Sequence, residues 1–306
     1  MIPTSTTQPA LRAALLMCVS AVFFALMAVM IRLASSELHA FQIAFFRCFF
    51  GFIFTIPLVW HHGPSLLRTD RFGLYLVRCG IGIFSMLSGF WAVVHLPLAQ
   101  AVALTYSTPL FVTIGAALVL HEVVRARRWT AVLVGFAGVL VIVRPFDIDI
   151  TFATWVALAS AALSAAASIS IKFLSRTEKP DTIVFYSTAI WVPLALGPAL
   201  YVWITPTGWT WAWVVLAGLF GTLGHMFWTR AYKLGDASAL TPITYLQLPI
   251  VTVFAWILFG EVLDRYTLIG ALIVFASNLY IAHRESQVAR RAVTDAEIGG
   301  DTSSSR

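Results

Sequence analysis

Two ionisable side chains lie deep in apolar stretches, and the search for chemistry starts with them. Arg47 stands about seven residues into the stretch 40–60, and His225 about fourteen residues into 211–232. An ionisable group inside a membrane-spanning segment is costly, and it usually serves a ligand, an ion path or a buried partner. Arg47 has two readings. Its long stem can carry the guanidinium out to the interface, or the guanidinium can contact a ligand. His225, between Gly224 and Met226, can bond to a neighbouring helix or take part in a solute or proton step. All fourteen acidic residues fall in loops, tails or at the ends of apolar stretches, so a mid-membrane carboxylate relay for protons or sodium is not expected.

Neutral polar groups gather around two prolines. Pro109 and Pro249 each sit about eleven residues into an apolar stretch, where a proline removes a backbone donor and kinks a helix. The disturbed turns hold Thr105, Tyr106, Ser107 and Thr108 in one case and Thr244, Tyr245 and Gln247 in the other. Exposed backbone is tolerated within lipid where it borders protein or a wet cavity. These residues therefore either line a cavity or belong to a purely structural kink. Ser160, Ser164 and Ser168 form a helix-face row beside Ala157, Ala161 and Ala165. Such rows suit close helix contact, and the serines suit a polar lining as well. Trp91 and Trp228 lie deep in their stretches and could stack on a flat solute or face lipid. Arg78, His95 and Lys172, nearer the ends, are expected at interfaces. Glu122 and Glu261 are expected to pair with Arg125 and Arg265 across the following turns.

The elements that position these groups follow from composition. Of 306 residues, 59% are hydrophobic and 11% charged, less than half the charged share of a soluble domain. Stretches of about 20 apolar residues span a bilayer, and ten can be placed: 13–33, 40–60, 74–94, 98–120, 129–145, 153–174, 182–203, 211–232, 239–260 and 266–283. The expected fold is an all-α integral membrane protein, and the lipid bilayer is its first partner. Fifteen Lys and Arg fall on one side of this arrangement and three (Arg32, Arg144 and Arg265) on the other. Basic loops stay in the cytoplasm, which places both termini there in a multi-pass protein of the inner membrane. The net charge of +6 is thus a topology signal, and no nucleic acid is expected as a partner. Cys18, Cys48 and Cys79 offer neither a disulfide framework nor metal spacing. No hydrolase, zinc-protease or nucleotide-binding motif is present, so neither an enzyme nor a cofactor is expected.

The ten stretches divide into two similar sets. LPLAQAVALTYSTPLFVTIGAALVLHE at 96–122 is echoed by LGDASALTPITYLQLPIVTVFAWILFGE at 234–261, with the prolines 140 positions apart and the glutamates 139 apart. The same shift lays Ser20 on Ser160 and Arg47 on Ser187. Five spans per half make the second half enter the membrane from the opposite side. An inverted repeat places a solute site near the midplane between the halves. The expected organisation is a polar tail at 1–10, a first repeat at 11–145, a second, inverted repeat at 152–284, and a polar cytoplasmic tail at 285–306.

These repeats carry a family resemblance. AVVHLPLAQAVALTYSTPLFVTIGAALVLHEVVRARRWTAVLVGFAGVLVIVRP and AYKLGDASALTPITYLQLPIVTVFAWILFGEVLDRYTLIGALIVFASNLYIA resemble the two EamA-type repeats of ten-span members of the drug/metabolite transporter superfamily. The resemblance covers residues 11–284. It implies a central cavity lined chiefly by the first, third, fourth, sixth, eighth and ninth spans, with Trp91, Tyr106, His225, Trp228, Tyr245 and Gln247 as lining candidates. It also implies a small-molecule substrate moved by alternating access. FFR at 45–47 and Arg78 before Cys79 and Gly80 resemble a subgroup that includes S-adenosylmethionine and riboflavin carriers. Together with the deep tryptophans this points to a heteroaromatic metabolite. Export of amino acids or drug-like metabolites is the alternative, and a non-transporting sensor or assembly protein is the alternative of another class.

Overall fold

A computed structural model describes residues 7–62, 69, 71–119, 126–144, 151–174, 178, 180–234, 240, 243–280 and 283. Among them the regular structure is entirely helical. In chain order the helices are α1 (Thr7–Ala34), α2 (Ala40–His62), α3 (Phe72–His95), α4 (Leu98–Thr105), α5 (Thr108–Val119), α6 (Ala126–Val143), α7 (Phe152–Leu174), α8 (Pro180–Tyr201), α9 (Thr210–Leu234), α10 (Gln247–Phe259) and α11 (265–280). Seven segments are long and apolar enough to cross a membrane, and shorter apolar helices cover Trp129–Val143 and Gln247–Phe259. The expected Glu122–Arg125 pair, the joint at 145–150 and the C-terminal tail lie outside the described residues.

The spans that carry Pro109 and Pro249 depart from a kinked continuous helix. α4 stops at Thr105, Tyr106 and Ser107 form a turn, and α5 starts at Thr108 with Pro109 as its second residue. Likewise Tyr245 and Leu246 form a turn, and Pro249 is the third residue of α10. Proline is well tolerated in a first helical turn because its missing N–H would have had no intrahelical acceptor there. Each proline therefore opens a second half-helix after a break. Such discontinuous helices with unwound backbone are a recurrent feature of transporter sites.

The two halves interlock. The most extensive contacts between helices are α1 with α9 and α3 with α7, which join one half to the other. The 140-residue shift turns the first pair into the second. The contacts match in detail: the Ser20 hydroxyl donates to the Gly224 carbonyl at 2.8 Å, and the Ser160 hydroxyl donates to the Ser85 carbonyl at 2.8 Å. The donors are 140 residues apart and the acceptors 139. Ala157, Ala161 and Ala165 are buried in this packing, as small residues at a close crossing require.

The two broken turns also meet. The rings of Tyr106 and Tyr245, 139 positions apart, lie with centroids 4.4 Å from each other. Asn278 of α11 donates through Nδ2 to the Tyr106 carbonyl at 3.0 Å and to the Tyr245 hydroxyl. Beside them α6 and α11 cross so closely that a Cβ at Gly270 would stand 2.5 Å from the Gly138 carbonyl oxygen, which is why neither position carries a side chain.

One end of the bundle is fastened by charge. Glu261, just past the left-handed Gly260 that ends α10, accepts from Arg32 at 2.8 Å and from the Leu98 amide at 2.7 Å. The expected partner, Arg265, instead reaches the Tyr266 hydroxyl at 3.2 Å. The long Arg32 stem at the end of α1 crosses to the other repeat, whereas Arg265, at the start of α11, lies over the ring of its neighbour Tyr266. Arg144, in a left-handed conformation at the end of α6, pairs with Asp264 and covers the Tyr266 ring at 4.0 Å. Glu37, between α1 and α2, accepts from the Thr210 hydroxyl and from the Thr207 amide at 2.8 Å at the start of α9. The Thr210 hydrogen bond holds its carboxyl below the usual range. The small stabilisation from this depressed pKa is present above the ordinary carboxyl range and is lost as pH falls through the lowered value.

Candidate functional site

The interlocked halves enclose a cavity of about 760 Å³, within the size range of sites for small organic molecules. Seven helices (α1–α4 and α7–α9) line it, together with the first residue of α10. The second and seventh spans, outside the chief lining that the resemblance implied, contribute as well. α2 contributes Arg47, Gly51 and Thr55, and α8 contributes Ser187, Thr188 and Trp191. α2 and α8 pack on each other, so their inward faces border the same space.

Of the residues expected from sequence, the cavity brings together Arg47, Ser164, His225, Trp228 and Gln247. Trp91, Tyr106 and Tyr245 are not among its lining. α3 presents a stripe of Arg78, Gly82, Ser85, Gly89 and Val93 to the cavity, and Trp91 falls off that stripe. It stacks on His95 at 3.8 Å and meets the edge of Phe152. The two tyrosines turn toward each other across the broken helices. The three α7 serines serve both of the roles that sequence suggested. All three line the cavity, while Ser160 bonds to α3 and Ser164 shares a 2.6 Å hydrogen bond with Ser85.

Arg78 was expected at an interface and is instead buried, with 8% of its surface exposed, on the cavity wall. It lies less than two turns into α3, but the hydroxyl of Ser187 on α8 accepts from its Nη1, and its guanidinium lies 5.5 Å from the Trp191 ring centroid. These contacts hold it inward. Trp191 is fixed in turn by donating Nε1–H to the Cys79 carbonyl at 3.1 Å. Gly82 makes room for it: a Cβ there would stand 2.9 Å from the indole. Arg47 is 7% exposed. Its Nη1 contacts the Met86 sulfur at 3.9 Å, a weak acceptor, and its Nε has no hydrogen-bond partner. Gly221 lies against it, and a Cβ there would stand 2.9 Å from Nε.

Sequence reading missed Arg78, Trp191 and Ser187 as lining residues. For two of them a signal was present. Gly82, Ser85 and Gly89 mark a slim face of α3 that also carries Arg78, and the repeat shift had laid Ser187 on Arg47. Among the described residues no group of three or more His, Cys, Asp or Glu could hold a metal ion.

A family model described as the EamA-like transporter family matches residues 11–144 and 151–282, which is both halves of the bundle. The chain belongs to the EamA-like transporter family. This EamA protein is 32% identical over 267 residues to a Rickettsia felis protein named as an S-adenosylmethionine uptake transporter, covering 86% of this chain and 90% of the relative. It is also 32% identical to a riboflavin transporter of Brucella anthropi, covering 82% of this chain and 90% of that one. A solved crystal structure, 17% identical, superposes with a TM-score of 0.65 over 92% of this EamA chain and 98% of its own, a likeness of fold.

Proposed function

We propose that this EamA-family protein is a secondary transporter of the inner membrane, moving a small heteroaromatic metabolite by alternating access. The observation that carries the reading is the cavity enclosed between two inverted halves, walled by aromatic rings at Trp191 and Trp228 and by polar groups at Arg47, Ser164, His225 and Gln247. Binding between repeats and rocking of one against the other is how inverted-repeat carriers work. The bias of basic residues puts both termini in the cytoplasm. The Arg32–Glu261 pair then lies on the outer side and fastens the end of α1 to the end of α10, so that the outer end is the closed one. The relatives named for S-adenosylmethionine and riboflavin suggest the first solutes to try.

The test is uptake of labelled S-adenosylmethionine and riboflavin into liposomes holding the purified protein. Time-dependent accumulation of one of them, with an affinity lowered about tenfold in Trp228→Ala, is expected, since a base–aromatic stack contributes about 1–3 kcal/mol. Binding without flux would mark a sensor that keeps the fold. Absence of both binding and flux would direct the search to export of amino acids.

A further inference from the structure

Among the described residues, the cavity wall holds two arginines and no acid. Arg47 and Arg78 are each more than nine-tenths buried, on different helices, and both line the same space. Neither forms an ion pair among the described residues. Among the described residues, Arg47 Nε and Arg78 Nε have no hydrogen-bond partner. The groups that do contact the guanidinium nitrogens are the neutral sulfurs of Met86 and Cys79 and the hydroxyl of Ser187. None of the described residues lining the cavity is Asp or Glu. Among the described residues, the arginines with carboxylate partners, Arg32 and Arg144, lie at the end of the bundle instead.

A buried cation without a counter-charge is strongly unfavourable, and two facing one cavity add mutual repulsion. The missing charge is supplied most simply by the molecule that fills the cavity. We infer that the transported solute carries an oxyanion, a carboxylate or a phosphate, which Arg47 and Arg78 hold, while its ring system lies against Trp191. A guanidinium presents a planar fork of N–H donors that matches either group. Ser85, on the same stripe of α3 as Arg78, and Ser164 on α7 share a 2.6 Å hydrogen bond and offer hydroxyls to the same solute. The inference deepens the transport reading, on which it rests for the word "transported" alone. The charge requirement belongs to binding.

Paired probes that differ only in the anionic group give the test. Thermal unfolding of the purified protein is followed with N-acetyltryptophan against N-acetyltryptophanamide, for the carboxylate, and with riboflavin 5′-phosphate against riboflavin, for the phosphate. A ligand that binds the folded state raises the midpoint. The expected result is a concentration-dependent rise with the anionic member of at least one pair and an affinity at least about tenfold weaker for its neutral partner, the usual scale of a charge-assisted hydrogen bond. Arg47→Gln and Arg78→Gln should each remove that preference, and Lys at either position should restore part of it. Equal or tighter binding of the neutral members, or no rise with either anionic probe, would overturn the inference. The pairs are compared in the unaltered protein, so the result stands even if a variant does not fold. Flux of the same compounds into liposomes separates the two readings. A neutral compound that is bound and carried leaves transport standing and removes the anion requirement. An anionic compound that binds without being carried does the reverse.

Discussion

Gly221 decides where Arg47 can lie. The glycine sits on α9 against Arg47 Nε, and any side chain there must push the guanidinium away. Gly221→Val is therefore expected to weaken solute binding about tenfold or more by displacing a charge from its ligand. Gly197→Ala, at a site where a Cβ meets nothing within 4 Å, serves as a comparison and should leave binding unchanged. The ligand-dependent rise in unfolding midpoint reads both. At this scale the sequence showed Arg47 and His225 plainly, because a charge in the middle of an apolar stretch is conspicuous. It marked Arg78 only indirectly, through the slim face it shares with Gly82, Ser85 and Gly89, because distance from a helix end does not reveal which way a long side chain turns. Here the turn is set by Ser187 and Trp191 on another helix, and no local pattern on α3 could report them.

The broken helices matter most among the elements. Tyr106 and Tyr245 meet at the breaks, and one side chain from α11, Asn278, serves both turns. Asn278→Leu would keep the volume and remove the donor. A buried acceptor left unpaired costs about 1–3 kcal/mol. The variant is expected to unfold several degrees lower in a thermal scan while its ligand-dependent rise in midpoint persists, because Asn278 does not line the cavity. The two prolines were legible as disturbances, since proline cannot donate within a helix. That they begin new half-helices was not legible, because the choice between a kink and a break depends on whether something donates to the freed carbonyls. Asn278 does so for Tyr106 from about 170 residues away along the chain. The partner of Glu261 was hidden for a similar reason. Arg265 was near in sequence, but Arg32 was near in space.

For the molecule as a whole, the doubled pattern carried the architecture. Repeats 140 residues apart imply helices that exchange places, and the matched Ser20–Gly224 and Ser160–Ser85 contacts have that form. The ring of cavity-lining helices is wider than the chief lining that the resemblance implied, because α2 and α8 pack together near the axis that relates the halves. On this account the protein works by opening the cavity to each side in turn, with the Arg32–Glu261 pair closing the outer end. The most direct measurement places a thiol in the cavity as Ser164→Cys, with Cys18 replaced by Ser and the fully buried Cys48 and Cys79 kept. A membrane-impermeant thiol reagent is then added from either face of oriented vesicles. The account predicts labelling from both faces, protection by bound solute, and labelling from the outer face several-fold faster when Glu261→Gln loosens the closure. A thiol reached from one face alone, at a rate that neither solute nor Glu261→Gln alters, would contradict it.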